Sequence, residues 1–299
     1  PVSDVVVTSN VSGLVWPGID SVSLRCSARG TDVSYSWSLQ GAPISGGGRF
    51  HVTENNMRVV ISPVSSDDSG SFICTARNLL NSQNSSDVRL SLAVGVSAVT
   101  LTSNTSAALW AGQDSVSLYC SARGSAVTFS WSLNGSSVSS NPSYSITHSD
   151  SPPSSNLTIS PVSRGDTGPF TCTGTNLLNT DTSDGHILNL AKPPQSPDHN
   201  NSAVIRVTGG EMVVLRVTLT SGGRSVQVLP AEFYWFSWTS GFPIQSGGKF
   251  TVTSMYYTSS LQITETTASE SGKYECRARN MAGSQSFMFT IEVMEEGGS

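Results

Sequence analysis

The sequence predicts an all-β chain of three tandem β-sandwich domains in an elongated array. Three observations predict it: a repeat that returns along the chain, apolar residues that alternate with polar ones, and a Cys–Trp–Cys spacing that occurs twice. At 299 residues the chain is too long for one small core and suits two or three domains.

The repeat sets the organisation. DSVSLRCSARG at 20–30 returns as DSVSLYCSARG at 114–124, and SYSWSLQG at 34–41 returns as TFSWSLNG at 128–135, an offset of 94 both times. VVISPVSSDDSGSFICTARNLLN (59–81) returns as LTISPVSRGDTGPFTCTGTNLLN (157–179). A fainter third copy holds EMVVLRVTL, FSWTSGFPI and LQITETTASESGKYECRARN. These copies predict domain 1 over 1–94, domain 2 over 95–192, domain 3 over 193–295 and a tail over 296–299.

Each unit is written in strands. Val22, Leu24 and Cys26 alternate with polar residues, as do Val88, Leu90, Leu92 and Val94, the period of a strand with one face in a core. Clusters of Gly, Asn, Ser and Pro break the runs every eight to twelve residues, the rhythm of a sandwich or barrel. GGG at 46–48 and GG at 247–248 share a repeat position and suit a turn. Charged residues make up 12% of the chain, about half the usual share, and Ser, Thr, Asn and Gly carry the polarity instead.

Cys26 precedes Trp37 by 11 residues and Cys74 by 48; Cys120 precedes Trp131 by 11 and Cys172 by 52. A cysteine on one sheet, a tryptophan on the next strand and a cysteine on the facing sheet are what an inter-sheet disulfide packed on an indole requires. Bridges Cys26–Cys74 and Cys120–Cys172 are expected. Each would remove loop-closure entropy worth roughly 4 kcal/mol from the unfolded chain.

DDSGSFIC (67–74), GDTGPFTC (165–172) and SESGKYEC (269–276) resemble the DxGxYxC signature of immunoglobulin-superfamily domains, and the resemblance covers all three units. More narrowly, ISPVSSDDSGSFICTARNLLNSQNSSDVRLSL and its second copy resemble the C2- or I-type domains of the carcinoembryonic-antigen-related and hepatocyte cell adhesion molecules. The resemblance implies tandem immunoglobulin-like sandwiches on a cell surface. In the carcinoembryonic-antigen-related family adhesion belongs mainly to an N-terminal variable-type domain. None is visible here, so with one ahead of Pro1 these units would be mostly stalk.

Departures from the signature carry physical content. The corner tyrosine is Phe72 in the first unit and Phe170 in the second, and only Tyr274 keeps the hydroxyl, so the corner bond is expected once. Arg49 is placed to pair with Asp68 and Lys249 with Glu270, pairs worth up to about 1 kcal/mol when exposed. Ser143 stands where the second unit needs a cation, so Asp166 is expected to lose that partner. The stretch from Trp37 to Cys74 is too short for the two extra strands of a variable-type domain.

The fifth cysteine, Cys276, has no partner in its unit, because aligning SVSLRC (21–26) with MVVLRV (212–217) puts Val217 where Cys26 stands. It is expected as an inert buried thiol, with an exposed thiol bridging two molecules as the alternative. Domain 3 should then be the first to unfold. From Val217 to Trp238 the third unit runs about ten residues longer than the Cys-to-Trp stretch of the others, through the insertion GGRSVQVLPAEFYW. That insertion is expected to form a long loop or hairpin, either a binding site or a cover for the domain joint.

Catalytic constellations are absent from the pattern. His51, His148, His186 and His199 lie apart with no Cys or acidic neighbour at ligand spacing, and there is no GxSxG, phosphate-binding Gly loop or HExxH. No enzyme activity, cofactor or metal is expected. The net charge of −5 has no Lys/Arg run beside it, which leaves no footprint for nucleic acid or an anionic membrane.

Recognition by surface remains. Trp16 and Trp110 recur just before the first core strand, either as adhesive anchors or packed on a neighbouring domain or last strand. Leu79 with Leu80 and Leu177 with Leu178 sit in the hairpin after the second cysteine, one of each pair expected to turn inward. Asn10, Asn84, Asn104, Asn134, Asn156 and Asn200 head N-glycosylation sequons, while Asn141 is followed by Pro142 and is not an acceptor. With paired cysteines they indicate an exported glycoprotein.

No stretch approaches 18 apolar residues, so membrane attachment is expected only through a segment outside this chain. Pro1 does not open a signal peptide, and the chain reads as a mature or trimmed piece. The first linker, LAVGVSAVTLTS, leaves almost no spacer, whereas KPPQSPDHNNSAV (192–204) reads as a semi-stiff exposed one. The expected function is the extracellular region of a cell-surface adhesion or recognition glycoprotein binding a protein partner, itself included. A receptor ectodomain for a soluble ligand and a structural extracellular spacer are the alternatives.

Overall fold

The structure is a computed structural model that describes residues 1–220 and 231–295. Domain 1 holds β1 (Ser3–Ser9), β2 (Leu14–Val15), β3 (Val22–Arg29), β4 (Ser34–Leu39), β5 (Ala42–Ile44), β6 (Phe50–Thr53), β7 (Arg58–Ile61), β8 (Phe72–Arg77), β9 (Ser82–Asn84) and β10 (Ser91–Leu92). One sheet runs β1–β3–β7–β6 and the facing one β5–β4–β8–β9, while β2 pairs in parallel with β10. One short edge strand, β5, joins the second sheet.

Domain 2 repeats this plan with β11 (Ser97–Ser103), β12 (Val116–Arg123), β13 (Thr128–Leu133), β14 (Ser136–Val138), β15 (Tyr144–Asp150), β16 (Pro153–Ile159), β17 (Phe170–Thr175) and β18 (Thr180–Thr182). Its sheets are β11–β12–β16–β15 and β14–β13–β17–β18. Domain 3 holds β19 (Val204–Thr208), β20 (Val213–Thr218), β21 (Glu232–Ser237), β22 (Phe250–Ser254), β23 (Thr258–Ile263), β24 (Gly272–Asn280) and β25 (Gly283–Met294). Here the sheets are β20–β23–β22 and β19–β25–β24–β21.

Period-two alternation fills each sandwich from both sheets. On β3, Val22, Leu24 and Cys26 point inward, and on β20 so do Val213, Leu215 and Val217. Val94 departs from the expected alternation: it lies past β10 in the linker and is exposed. Glycines 46–48 and 247–248 all have positive φ, which is why the turn before β6 and β22 is written in glycine.

The core tryptophan of domain 3 is not the one the spacing suggests. Trp235 lies opposite Cys276 as Trp37 lies opposite Cys74 and Trp131 opposite Cys172, and it is 1% exposed, whereas Trp238 is 63% exposed. Val217 to Trp235 spans 18 positions against 11 in the other domains, so the extra length before the indole is seven residues. Of the insertion GGRSVQVLPAEFYW, residues 222–230 lie outside the described residues, and its end belongs to β21.

A second correction concerns the corner before the last cysteine of each domain. Arg49 grips Asp68 with two bonds of 2.6 and 3.0 Å, and the Ser65 N–H adds a third at 2.7 Å. The Asp68 side chain is only 2% exposed, so this pair is not a surface one. In domain 2 Asp166 does not go without a replacement: the Tyr144 hydroxyl donates to it, as do the Ser163 N–H and hydroxyl. Domain 3 uses Lys249, at 3.4 Å from Glu270, and Tyr274 donates its hydroxyl to the Glu270 carbonyl at 2.9 Å.

The linker 192–204 is also not a free spacer. His199 sets its ring edge-on to Phe287 and Phe289, brings Nε2 within 2.8 Å of the Met288 carbonyl, and the Asn201 side chain accepts the Met288 N–H. This strap is therefore part of domain 3. Arg164 and Lys192 of domain 2 meet the turn before β25, through the Ala282 carbonyl and the Asn280 side chain.

Two outcomes follow from the corners. Arg49→Ala leaves a buried carboxylate without its charged partner and should cost domain 1 about 2 kcal/mol in chemical denaturation. Burial by itself would raise the Glu270 pKa, but bonds from the Thr267 hydroxyl and N–H, the Ser269 hydroxyl and the Lys249 charge outweigh it and lower the value. A lowered folded pKa adds stability above the ordinary value of 4.5 that is lost as the pH falls through the lower one. Thermal melts of domain 3 at pH values descending below 4.5 should show this loss, and Glu270→Gln should flatten it.

Candidate interaction surfaces

The thiol can be placed first. Disulfides join Cys26 to Cys74 and Cys120 to Cys172, with Cα atoms 6.3 and 6.4 Å apart. Cys276 is free and buried in one core with Val217, Trp235 and Leu261. Val217 pairs with Ser259 as Cys120 pairs with Ser155, so valine occupies the place of the missing cysteine. Burial, with the nearby Glu275 charge second, raises the thiol pKa far above its usual range, and without thiolate there is no nucleophile.

Hairpins after the second cysteine are built on asparagine. The Asn78 side chain accepts the N–H groups of Leu80 and Asn81, and Asn176 does the same for Leu178 and Asn179. Leu79 is 103% exposed and Leu80 also faces solvent, so neither turns inward, contrary to expectation. In the second copy Leu177 is exposed and Leu178 half-buried. The Asn176 amide reaches the Val94 and Ser125 carbonyls, which ties this hairpin to the incoming linker.

Trp16 and Trp110 are half-buried. Their backbone N–H groups donate to the Asp20 and Asp114 side chains at 2.8 and 2.7 Å, closing the turn that carries the chain into β3 or β12. Those aspartates make the repeated motif a turn signal.

The outer face of β21 was missed by the sequence reading. With Trp235 inward, Tyr234, Phe236 and Trp238 share the opposite face, and Phe242 follows at 80% exposure. Cations from β24 lie over two of these rings: Lys273 is 4.8 Å from the Trp238 centroid and Arg277 4.8 Å from that of Phe236. In domain 1 the matching positions are Ser36, Ser38 and Gln40, and in domain 2 Ser130, Ser132 and Asn134. The run EFYWFSW carried the signal, since the parity opposite Trp235 reads Tyr234, Phe236 and Trp238 after Glu232.

The turn next to this face is altered too. Gln40–Gly41 and Asn134–Gly135 form two-residue hairpin turns with positive φ at both positions. Domain 3 needs five residues, Trp238 to Phe242, between its strand and Pro243. At the third residue past the core indole, domain 2 has the sequon asparagine Asn134 and domain 3 has Trp238. All six sequon asparagines are exposed, and none lies between 204 and 293.

Among the described residues no three His, Cys, Asp or Glu side chains gather as a metal site, and no helix is long and apolar enough to cross a membrane. The immunoglobulin I-set domain family matches residues 8–92 and 205–293, and the immunoglobulin domain family matches 98–176. The chain belongs to the immunoglobulin superfamily.

Its immunoglobulin domains are similar to parts of much longer proteins. Mouse hemicentin-2 is 25% identical over 91% of this chain, the cell adhesion molecule Dscam2 of Drosophila melanogaster 26% over 97%, and rat Roundabout homolog 1 24% over 87%. The chain spans only 5%, 14% and 15% of the lengths of those relatives. Among solved structures, the titin fragment I67–I69 covers 96% of this chain and 98% of its own at 17% identity and a TM-score of 0.48.

The immunoglobulin bridge missing from domain 3 gives a direct test. Cys276 should resist thiol reagents in the native protein and react only as domain 3 opens. Val217→Cys should form a Cys276 disulfide across a separation of 59 positions (276 − 217) and stabilise domain 3 by roughly 4 kcal/mol. Loss of the free thiol and a raised melting temperature for the transition of domain 3 would check it.

Proposed function

We propose that this chain is part of an extracellular recognition glycoprotein that binds other proteins through the aromatic outer face of domain 3. The observation that carries this is the exposed Trp238 and Phe242 at the end of a strand whose outward residues are serine, glutamine or asparagine in the other two domains. Tryptophan is enriched among residues that dominate binding energy, and Lys273 holds this indole in place. Domains 1 and 2 carry five of the six sequons and the sixth, Asn200, lies in the strap, so no sequon falls on the strands of domain 3 that bear the aromatic face.

Disulfide-bonded domains and sequons suit an oxidising exterior, at the cell surface or in a secreted protein, with membrane attachment through a segment outside this chain. A relative that matches nearly the whole chain is named a cell adhesion molecule, which supports a protein partner on a cell surface, a second copy included. The narrower likeness to the carcinoembryonic-antigen-related and hepatocyte adhesion molecules stands on the shared runs around the second cysteine alone.

Beads coated with the chain, assayed for mutual aggregation and for capture by cells displaying extracellular proteins, test the reading. Trp238→Ser with Phe242→Ser should weaken capture about thirtyfold, the equivalent of a 2 kcal/mol hot spot, while Leu79→Ser with Leu80→Ser should not. Equal loss in the leucine variant alone would move the surface to domain 1. Absence of capture and aggregation by the unaltered chain would leave a structural spacer.

A further inference from the structure

Domains 1 and 2 cover one sheet edge with an antiparallel strand, β1 on β3 and β11 on β12. Domain 3 does not: among the described residues, β23 is the only strand paired with β20. Leu219 donates its N–H to Tyr257 at 2.8 Å, continuing the β20–β23 ladder, so Val213, Leu215 and Val217 turn their backbone groups toward β23. Val214, Arg216 and Thr218 turn theirs outward.

In the other domains those outward groups are taken. Asn10 donates its N–H to the Ser23 carbonyl and accepts the Ser23 N–H through its side chain, at 3.1 and 2.7 Å, and Asn104 with Ser117 repeats this in domain 2. The strap closes one end of this edge, since the Thr218 carbonyl receives the Ser196 hydroxyl at 2.7 Å and the Thr220 N–H reaches the Gln195 carbonyl at 2.9 Å; the outward groups of Val214 and Arg216 have no partner among the described residues. The cause is local. The segment reaching this edge is PPQSPDHN (193–200), where three prolines lack the N–H a ladder needs, and His199 is pinned to β25 on the other sheet.

A cleft of about 560 Å³ lies between β20, β19 and the strap, lined by Ile205, Arg216, Leu219 and Phe289 and, on the strap side, by Ser196 to Asn200. In domains 1 and 2 the covering strand sends alternate apolar residues, Val5 and Val7 or Val99 and Leu101, against the core. An open edge is a template for another strand.

We propose that the β20 edge and its cleft accept an extended segment of another protein, added antiparallel, with apolar residues at alternate positions. The repeats within this chain define that occupant, since β1 and β11 show what the same groove holds. Backbone bonds supply the affinity and the cleft selects the alternate side chains. The proposal does not depend on the aromatic face, which belongs to the other sheet.

The test is a titration of the isotope-labelled full chain with the peptide VSAVTLTSN, the sequence of residues 96–104. Amide exchange at Val214 and Arg216 should slow at least about tenfold on binding, with no change at β3 or β12. A peptide carrying Thr102→Pro, at the position that faces Tyr119 in domain 2, should not protect, because it lacks the N–H for the matching Arg216 carbonyl. Arg216→Pro in the chain should also abolish protection, since its own N–H points away from β23; if that variant does not fold, the two peptides decide. Unchanged exchange at about millimolar peptide, or equal protection by the proline peptide, overturns the proposal. Protection that rises with protein concentration without peptide makes a second copy the occupant and overturns the assignment to another protein.

Discussion

One indole stands between the sheets of each domain, opposite the last cysteine, and its N–H reaches across to the facing sheet. Trp37 donates to the Asn56 carbonyl at 2.7 Å, Trp131 to the Ser155 hydroxyl at 2.9 Å and Trp235 to the Ser259 hydroxyl at 2.8 Å. A buried indole needs that partner, so the bond sets how the sheets are placed against each other as well as how the ring packs. Where a disulfide is present the indole lies beside it. Where it is absent, in domain 3, the same bond persists with Val217 and Cys276 filling the space.

Placing that ring fixes the parity of its strand, and parity decides what the outside looks like. Neighbours of Trp37 and Trp131 on the outer face are serines, so those faces present hydroxyls to water. Neighbours of Trp235 are Tyr234 and Phe236, and cations from β24 lie over the aromatic row. A three-domain chain built from one plan thus offers two domains with hydroxyl-bearing outer faces and one with an aromatic face. The asymmetry is in side chains and leaves the sheet order of that layer almost unchanged.

The facing layer of domain 3 differs through its backbone instead. Prolines in the strap remove donors, His199 and Asn201 fasten it to β25, and the longer β19 pairs with β25 over five residues. Past Ser196, the chain that would cover β20 is thereby spent on the opposite sheet. Contacts from Arg164 and Lys192 to the turn before β25 lie beside the same strap, so the joint between domains 2 and 3 and the open edge have a common origin.

The sequence by itself determined the three all-β units, the positions of the four bridged cysteines and the acidic corner residues, because these depend on spacing within one repeat and on period-two alternation. The same counting misplaced the third indole. Trp235 and Trp238 differ by an odd number of positions and so face opposite ways, and with valine at 217 and an insertion between there was no cysteine from which to count. Pairing with Cys276 decides it, and that is a contact between strands about 40 residues apart, like those that give Asp166 its tyrosine and the strap its dock. Only the tertiary structure decided which tryptophan is core, which face is aromatic and which edge is left open, since each depends on register between distant strands, and a shift of one residue reverses inside and outside.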